Sequence, residues 1–260
     1  MHSDRKEKLA AFDGWLYAHR GFHKKPDAPE NSLAAFQRAV DRGYGMELDV
    51  HLLKDGTLAV LHDSVLKRMT GRPGIVEDLT AADLPACFLG RSRETIPTFR
   101  QVLDLVDGKT PLIVELKPQG GNDARLTDLA CEMLKSYRGL YCIESFSPLV
   151  VRHLAKHYPE IIRGQLSMNY LKTRDGLTLP KALAGTFLLH NFLGHPDFVA
   201  YKFSDRNNIG NRFCLKVLGR QGAAWTLRTE ADLRQAQQEG LWPIFERFEP
   251  NAYEYTETGR

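Results

Sequence analysis

Short apolar runs and amphipathic stretches alternate along most of the chain. Residues 111–117 and 197–203, for example, are mainly apolar runs with the length of buried strands. The stretches between such runs carry apolar residues every three or four positions, as at Leu33, Phe36 and Val40, which is the spacing of an amphipathic helix. Strands that alternate with helices in this way form parallel sheets with right-handed crossovers.

The pattern predicts an α/β fold of about eight strand–helix units, which suits a closed (β/α)8 TIM barrel. An open, doubly wound sheet is the main alternative, but no glycine-rich fingerprint follows the first strand. We therefore predict that residues 1–260 form a single catalytic TIM-barrel domain. Periodicity weakens after the second strand, where glycine and proline are frequent, so residues 64–96 are predicted to be a small insertion.

A candidate site begins within residues 44–63. Glu47 and Asp49 lie two positions apart in the second predicted strand, so their carboxylates project from the same face. An Asp-Gly pair at 55–56 is typical of a tight hairpin turn, and the returning strand brings His62 back toward the carboxylates. Taken alone, the stretch is equally compatible with an exposed hairpin that has an acidic face and a chance histidine.

Other polar side chains fall at the ends of neighbouring predicted strands. The first strand leads into His19 and Arg20, and the third ends with Glu115 and Lys117, which alternation places on one face. In a barrel the carboxyl ends of the strands meet at one mouth, where active sites are built. The chain is therefore predicted to gather carboxylates, histidines and cations at that mouth.

The composition is ordinary for a soluble globular enzyme, with 43% hydrophobic and 26% charged residues. A net charge of +3 without a basic run argues against a nucleic-acid partner. No apolar run approaches the ~20 residues that span a bilayer, so no integral membrane segment is expected. The four cysteines are scattered along the chain, which predicts buried, reduced thiols. Together with the polar N-terminus, they predict a cytoplasmic location. The oligomeric state is left open.

The polar positions belong to a series of short motifs. These are A-H-R-G at 18–21, P-E-N-S at 29–32, A-F at 35–36, M-E-L-D-V at 46–50, K-D-G at 54–56, H-D at 62–63 and E-L-K at 115–117. Their order and spacing resemble the glycerophosphodiester phosphodiesterase family, which consists of metal-dependent TIM-barrel phosphodiesterases. The resemblance implies that the insertion lies over the barrel mouth.

The chain departs from that family at two places. Ser32 stands where threonine is usual, which is a mild change. The last strand runs into I-F-E-R-F-E-P at 244–250 instead of a Thr-Asp-x-Pro-like run. The second departure leaves the specificity for the alcohol side of the substrate open.

The resemblance also implies roles for the residues at the mouth. Glu47, Asp49 and Glu115 supply the oxygen ligands that a hard divalent cation, Mg²⁺ or Ca²⁺, prefers. The alternative is a metal-free cluster that shared protons or neighbouring cations neutralise. His19 and His62 are implied to be the general acid/base pair, although which is the acid and which the base is left open.

Further residues are predicted to surround this centre. Arg20 and Lys117 are candidates for binding the substrate phosphate, and Glu30 is expected to orient Arg20. Phe146 and Trp225 are expected to line the pocket, with core packing as the alternative for both rings. No motif gives a role to His51, although it shares a face with Asp49.

The leading hypothesis is metal-dependent hydrolysis of small-molecule glycerophosphodiesters to glycerol 3-phosphate and an alcohol. A further resemblance to phosphoinositide-specific phospholipases C leaves two routes open, a cyclic phosphate formed by the glycerol 2-hydroxyl or direct attack by water. One alternative function is a lysophospholipase D-like activity on acylated diesters, for which residues 64–96 would supply an apolar wall. Another is a non-catalytic binding barrel.

Overall fold

A computed structural model of the chain describes residues 2–174 and 176–251. Within these residues a single sheet contains nine strands: β1 (Tyr17–Ala18), β2 (Gly45–Leu52), β3 (Leu58–Val60), β4 (Leu112–Leu116), β5 (Tyr141–Ser145), β6 (Arg163–Ser167), β7 (Phe198–Lys202), β8 (Gln221–Leu227) and β9 (Leu241–Phe245). The domain predicted for residues 1–260 also includes residues 1, 175 and 252–260, which lie outside the described part.

The sheet closes into a barrel because β1 pairs in parallel with two partners, β2 on one side and β9 on the other. The strands from β4 to β9 complete the ring, each parallel to its neighbour. Strand β3 is antiparallel to β2 and lies outside the ring. The predicted (β/α)8 TIM barrel is therefore confirmed, and an open doubly wound sheet is excluded.

The described residues also contain eleven α-helices: α1 (His2–Ala10), α2 (Leu33–Asp41), α3 (Lys67–Thr70), α4 (Phe99–Val106), α5 (Asp123–Leu134), α6 (Pro148–His157), α7 (Tyr170–Thr173), α8 (Leu179–Thr186), α9 (Asn191–Gly194), α10 (Ile209–Lys216) and α11 (Glu230–Gln238). Short 3₁₀ helices occupy Val76–Asp78, Ala81–Ala86 and Phe203–Asp205.

Two helical regions differ from the sequence-based prediction. Helix α1 lies in the polar N-terminal stretch, for which the sequence predicts no regular element. The apolar sequence of residues 181–193 predicts a helix, but the structure divides this stretch between α8 and α9. Leu188 lies between them with a φ of 56°, a left-handed conformation that interrupts a right-handed helix.

The barrel strands carry apolar side chains on both faces. Met46, Leu48 and Val50 project outward from β2 and pack under the helices, as the alternation predicts. On the inward face, Ile113 and Cys142 belong to a second apolar cluster inside the barrel.

The inward faces of β4 and β5 change from apolar to acidic toward their carboxyl ends. Two residues after Ile113 comes Glu115, and two residues after Cys142 comes Glu144. Both glutamates are buried. The inward-facing side chains of these strands are therefore apolar inside the barrel and acidic at its mouth.

The connection between β2 and α4 has an apolar cluster of its own. Gly56, with a φ of 92°, forms the turn of the β2–β3 hairpin, and Val50 pairs with Val60 across it. The cluster beneath consists of Leu53, Ala59, Leu61, Leu66, Met69, Val76, Leu84, Cys87, Leu89 and Ile96. We propose that residues 64–96, which supply most of it, are the predicted insertion.

Among the described residues, no helix has both the length and the apolar character needed to cross a membrane. Cys87, Cys131, Cys142 and Cys214 are buried free thiols, as predicted.

Candidate active site

Three buried carboxylates meet at the carboxyl ends of β2 and β4. Asp49 lies opposite Glu115 in the parallel register of these strands, and Glu47 shares the inward face of β2 with Asp49. One oxygen of each carboxylate lies within 4.8 Å of the others. The structure thus brings together the three residues predicted as metal ligands. Three oxygen donors at this spacing are compatible with a divalent cation.

Two cations and one amide lie against the carboxylates. Lys117 Nζ is 2.8 Å from Glu115 Oε1 and 3.1 Å from Asp49 Oδ1. Arg20 Nε is 3.4 Å from Asp49 Oδ2, and Asn31 Nδ2 donates to the same oxygen at 2.7 Å. Both residues predicted to bind the substrate phosphate therefore lie beside the cluster and offset part of its charge.

Burial and mutual repulsion separate the pKa values of the three carboxyl groups. Burial, reinforced by Asp49 and Glu115, raises the pKa of Glu47 well above its ordinary value. Burial, opposed by Lys117, raises the pKa of Glu115 to about 7. Burial also acts on Asp49, but Lys117, His62 and Arg20 outweigh it and lower the pKa of that group. A divalent cation among these groups would favour their ionised forms.

His19 follows β1 and lies between two carboxylates. Its Nδ1 is 2.9 Å from Glu246 Oε2, and its Nε2 is 3.9 Å from Glu47 Oε2. Since an ionised carboxylate only accepts hydrogen bonds, Nδ1 carries the proton and Nε2 is the basic nitrogen of the neutral ring. Burial lowers the pKa of His19 to about 4, although Glu246 opposes the shift. The neutral ring therefore turns its basic nitrogen toward the carboxylate cluster.

His62 reaches the same cavity from the end of the hairpin. Its Nδ1 lies 2.6 Å from Asp63 Oδ1, so Nε2 is again the nitrogen available to a substrate. Burial lowers the pKa of His62, while Asp49 acts in the opposite direction. Arg68 forms an ion pair with the other oxygen of Asp63. Both histidines that the resemblance singles out are thus fixed through Nδ1 by a carboxylate.

Glu30 connects the loop after β1 to helix α3. Its Oε1 accepts hydrogen bonds from Arg20 Nη1 at 2.8 Å and from Arg68 Nη2 at 2.7 Å. Burial alone would raise its pKa, but the Arg68 and Arg20 guanidinium groups lower the pKa of Glu30 to about 2. The predicted contact between Glu30 and Arg20 is present.

A cavity of about 900 Å³ opens at this mouth, and both histidines line it. Phe146 and Trp225 also line it, with ring centroids 5.7 Å apart and ring planes at 89°. The same two rings pack against the apolar cluster inside the barrel. Both rings therefore line the pocket and also pack against the core, the two roles that the sequence offered as alternatives.

A second hydrogen-bond network lies behind His62. His51 is buried on β2, with Nδ1 2.7 Å from Glu77 Oε1 and Nε2 3.3 Å from the carbonyl oxygen of His62. The other oxygen of Glu77 accepts a hydrogen bond from Ser64 Oγ at 2.6 Å. The network ties the backbone on both sides of Asp63 to β2 and to the 3₁₀ helix Val76–Asp78.

A sequence model of the glycerophosphoryl diester phosphodiesterase family matches residues 19–246. The chain belongs to this family. Glycerophosphodiester phosphodiesterase of Bacillus altitudinis is 39% identical over 109 residues, which cover 39% of this chain and 44% of the relative. The enzyme of the same name from Caldanaerobacter subterraneus subsp. tengcongensis is 34% identical over 161 residues, covering 58% and 65%. The chain thus spans less than two thirds of the length of either relative.

A solved structure shows the same fold. It is an Oleispira antarctica phosphodiesterase in complex with its product sn-glycerol-3-phosphate, with a TM-score of 0.75 and 24% identity. The superposition covers 89% of this chain and 92% of the other.

Three further carboxylates lie at or behind the site, and none of them belongs to the family motifs of the sequence analysis. Glu246 belongs to the run that departs from the family, and its place at the end of the last strand was the available signal. Glu144 follows from strand alternation, since it lies beside Glu115 in register. Burial raises the pKa of Glu144 well above its ordinary value. Glu77 lies in a segment of weak periodicity, where no sequence signal marks it.

Proposed function

We propose that the protein hydrolyses glycerophosphodiesters to glycerol 3-phosphate and an alcohol with the help of a divalent cation. One observation carries the proposal: two histidines, each held through Nδ1 by a carboxylate, line one cavity beside three carboxylates spaced for a metal ion. Family membership supports it, since the matched region includes all of these residues.

In this proposal Glu47, Asp49 and Glu115 hold Mg²⁺ or Ca²⁺. A cation held there would supply a Lewis acid that stabilises the negative charge developing on the phosphate. Arg20 and Lys117 donate hydrogen bonds to the phosphate. Arg20 does so through its planar guanidinium group, which can form two parallel hydrogen bonds, and Lys117 through its compact ammonium group. Glu30 holds Arg20 in position, because its carboxylate accepts from the same guanidinium group.

The two histidines move the protons. Nε2 of the neutral ring accepts the proton of the attacking hydroxyl, and the other ring, which starts as the imidazolium, gives its Nε2 proton to the oxygen of the leaving alcohol. Glu246 and Asp63 each stabilise the imidazolium that forms on their partner and keep its ring from rotating. Phe146 and Trp225 form an apolar side of the cavity.

The test is the release of glycerol 3-phosphate from glycerophosphocholine and glycerophosphoethanolamine by the purified protein, with EDTA and after restoration of Mg²⁺ or Ca²⁺. Turnover that EDTA abolishes and one of the cations restores is the expected result. His19→Ala and His62→Ala are each expected to lower kcat at least ~100-fold. His157→Ala, on the exposed side of α6, is the matched control and retains activity. EDTA-resistant turnover would contradict the cation, and tight binding without product would favour a non-catalytic barrel.

An apolar cavity favours a second candidate, lysophospholipase D-like hydrolysis of a diester that keeps one acyl chain. The cavity has a volume of about 710 Å³ and adjoins the proposed site through Glu115 and Lys117. Its walls include Leu149, Leu166 and Ala184, which belong to α6, β6 and α8. They do not come from residues 64–96, where the sequence placed the apolar wall.

The two candidates differ in their preferred substrate. Lysophosphatidylcholine and glycerophosphocholine share the choline group and differ by the acyl chain. Faster hydrolysis of the acylated diester, lost in Ala184→Phe while glycerophosphocholine turnover persists, would select the second candidate. A preference for the deacylated diester would select the first.

A further inference from the structure

The cavity of about 900 Å³ carries more positive charge than the proposed reaction uses. Seven Lys and Arg side chains line it, against three Glu side chains. Arg20 faces the carboxylate cluster, and Arg68 is paired with Glu30 and Asp63. The remaining five cations have no part in the chemistry described above, and they are Lys24, Lys25, Arg38, Arg228 and Arg247.

Little negative charge compensates these five cations. Arg228 Nη2 and Arg247 Nε approach the same oxygen, Glu246 Oε1, at 2.7 and 3.4 Å. The other oxygen of that carboxylate is occupied by His19, and Glu249 forms an ion pair with Arg42. Across the described ranges, 2–174 and 176–251, Lys24, Lys25 and Arg38 form no ion pair with a carboxylate.

Backbone and stacking contacts hold the three uncompensated cations at the cavity. Lys24 exchanges two backbone hydrogen bonds with Ala28, at 2.7 and 2.8 Å, which closes the loop that carries both lysines. Phe22 N donates to Ala35 O of α2 at 3.0 Å. Arg38 on the same helix donates from Nε to Phe22 O at 3.0 Å and lies 5.1 Å from the centre of the Phe22 ring. These contacts leave the terminal nitrogens of Arg38 available to a ligand.

We infer that the alcohol released by this enzyme bears a second anionic group, a phosphate ester, which binds among Lys24, Lys25 and Arg38. The inference rests on the proposed function, because the same cavity holds His19 and His62. The bridging phosphate is already matched by Arg20, Lys117 and the cation, so the three outer cations complement a further anion. A cationic alcohol such as choline is repelled there.

A matched pair of substrates tests the inference. Glycerophosphoinositol 4-phosphate and glycerophosphoinositol differ by one phosphate on the same alcohol. We expect kcat/KM to be about tenfold higher for the phosphorylated diester, mainly through a lower KM, and the ratio to fall as salt is added. The double variant Lys24→Gln/Lys25→Gln and the single variant Arg38→Gln should each bring the ratio toward one.

The control for the double variant is Lys6→Gln/Lys8→Gln, which removes the same charge from α1, outside the cavity. This pair of substitutions should leave the ratio as it is. Equal kcat/KM for the two substrates, or a preference that survives the substitutions at 24, 25 and 38, overturns the inference and leaves the proposed function standing. A protein that hydrolyses neither substrate nor any other glycerophosphodiester overturns both.

Discussion

Glu246 fixes His19 from the last strand of the barrel, with its Oε2 2.9 Å from Nδ1 of the ring. Arg228 Nε donates to the other oxygen at 2.7 Å, so the carboxylate is itself held in place. Burial opposes ionisation of Glu246, but the hydrogen bonds from His19 and Arg228 outweigh it and lower the pKa of that group. The buried carboxylate therefore remains charged and orients the ring.

Glu246→Gln should lower kcat for glycerophosphodiester hydrolysis about 10- to 100-fold with little change in KM. The amide oxygen still accepts from Nδ1, but the charge that stabilises the imidazolium is lost. Steady-state kinetics measures both constants. Glu249→Gln is the matched control, because this exposed glutamate lines the same cavity and pairs with Arg42. Equal losses in the two variants would show that Glu246 acts only through the charge of the cavity.

Whether the sequence predicts a pair of residues in the site depends on how far apart the two residues lie along the chain. Glu47 and Asp49 share a strand, and alternation alone places them on one face. The contact between His19 and Glu246 joins positions at opposite ends of the matched region, and it exists because β9 closes the barrel against β1. Closure brings such a pair together without leaving a local pattern in the sequence.

Helix α1 shows the same limit for the fold. Its sequence is mostly polar, and Leu9 alone does not make an apolar periodicity that would predict it. Its visible anchor is Arg5, whose Nε and Nη2 donate to both oxygens of Asp197 at 2.5 Å. The partner lies immediately before β7, so the contact depends on the finished barrel.

Glu77→Gln should lower kcat about tenfold and leave KM nearly unchanged, because the variant loosens the support of the His62 backbone. Glu77 accepts from Ser64 and contacts His51, whose other nitrogen lies 3.3 Å from the His62 carbonyl oxygen. Asp78→Asn is the matched control, since Asp78 is the exposed neighbour on the same 3₁₀ helix.

A double-mutant cycle separates this positioning effect from general destabilisation. If Glu77 acts through His62, Glu77→Gln should cost nothing further in a His62→Ala background. Additive losses, or a fall in kcat that tracks the melting temperature, would instead assign Glu77 to the stability of residues 64–96.

Glu47→Gln should raise the melting temperature measured in EDTA and abolish the further rise that Mg²⁺ or Ca²⁺ produces in the unaltered protein. Burial and the two neighbouring carboxylates, whose oxygens lie within 4.8 Å, oppose ionisation of Glu47, and a neutral amide at this position avoids that cost. The amide oxygen still accepts from Arg20 N, which donates to Glu47 Oε2 at 3.0 Å. With one ligand lost, the cation no longer stabilises the folded state by mass action.

Differential scanning fluorimetry across a cation titration measures both effects. Glu160 is an exposed carboxylate in the loop between α6 and β6, so Glu160→Gln should behave like the unaltered protein. A cation-dependent rise that persists in Glu47→Gln would remove Glu47 from the ligand set.

Glu30→Gln should destabilise the protein by about 1–2 kcal/mol at pH 7, and the difference should shrink as the solution is acidified. The pKa of Glu30 is about 2 in the folded state, against an ordinary value of 4.5, because Arg68 and Arg20 favour its charged form. A lowered pKa means that the unfolded chain takes up the proton first. The stabilisation is therefore complete above about pH 4.5 and is lost as the pH falls toward 2.

Urea unfolding at pH 7, 5 and 3.5 measures the difference between the free energies of unfolding of the two proteins. Glu132→Gln, on the exposed face of α5, is the control. A free-energy difference that stays constant between pH 7 and 3.5 would show that the two guanidinium groups do not stabilise the charged carboxylate.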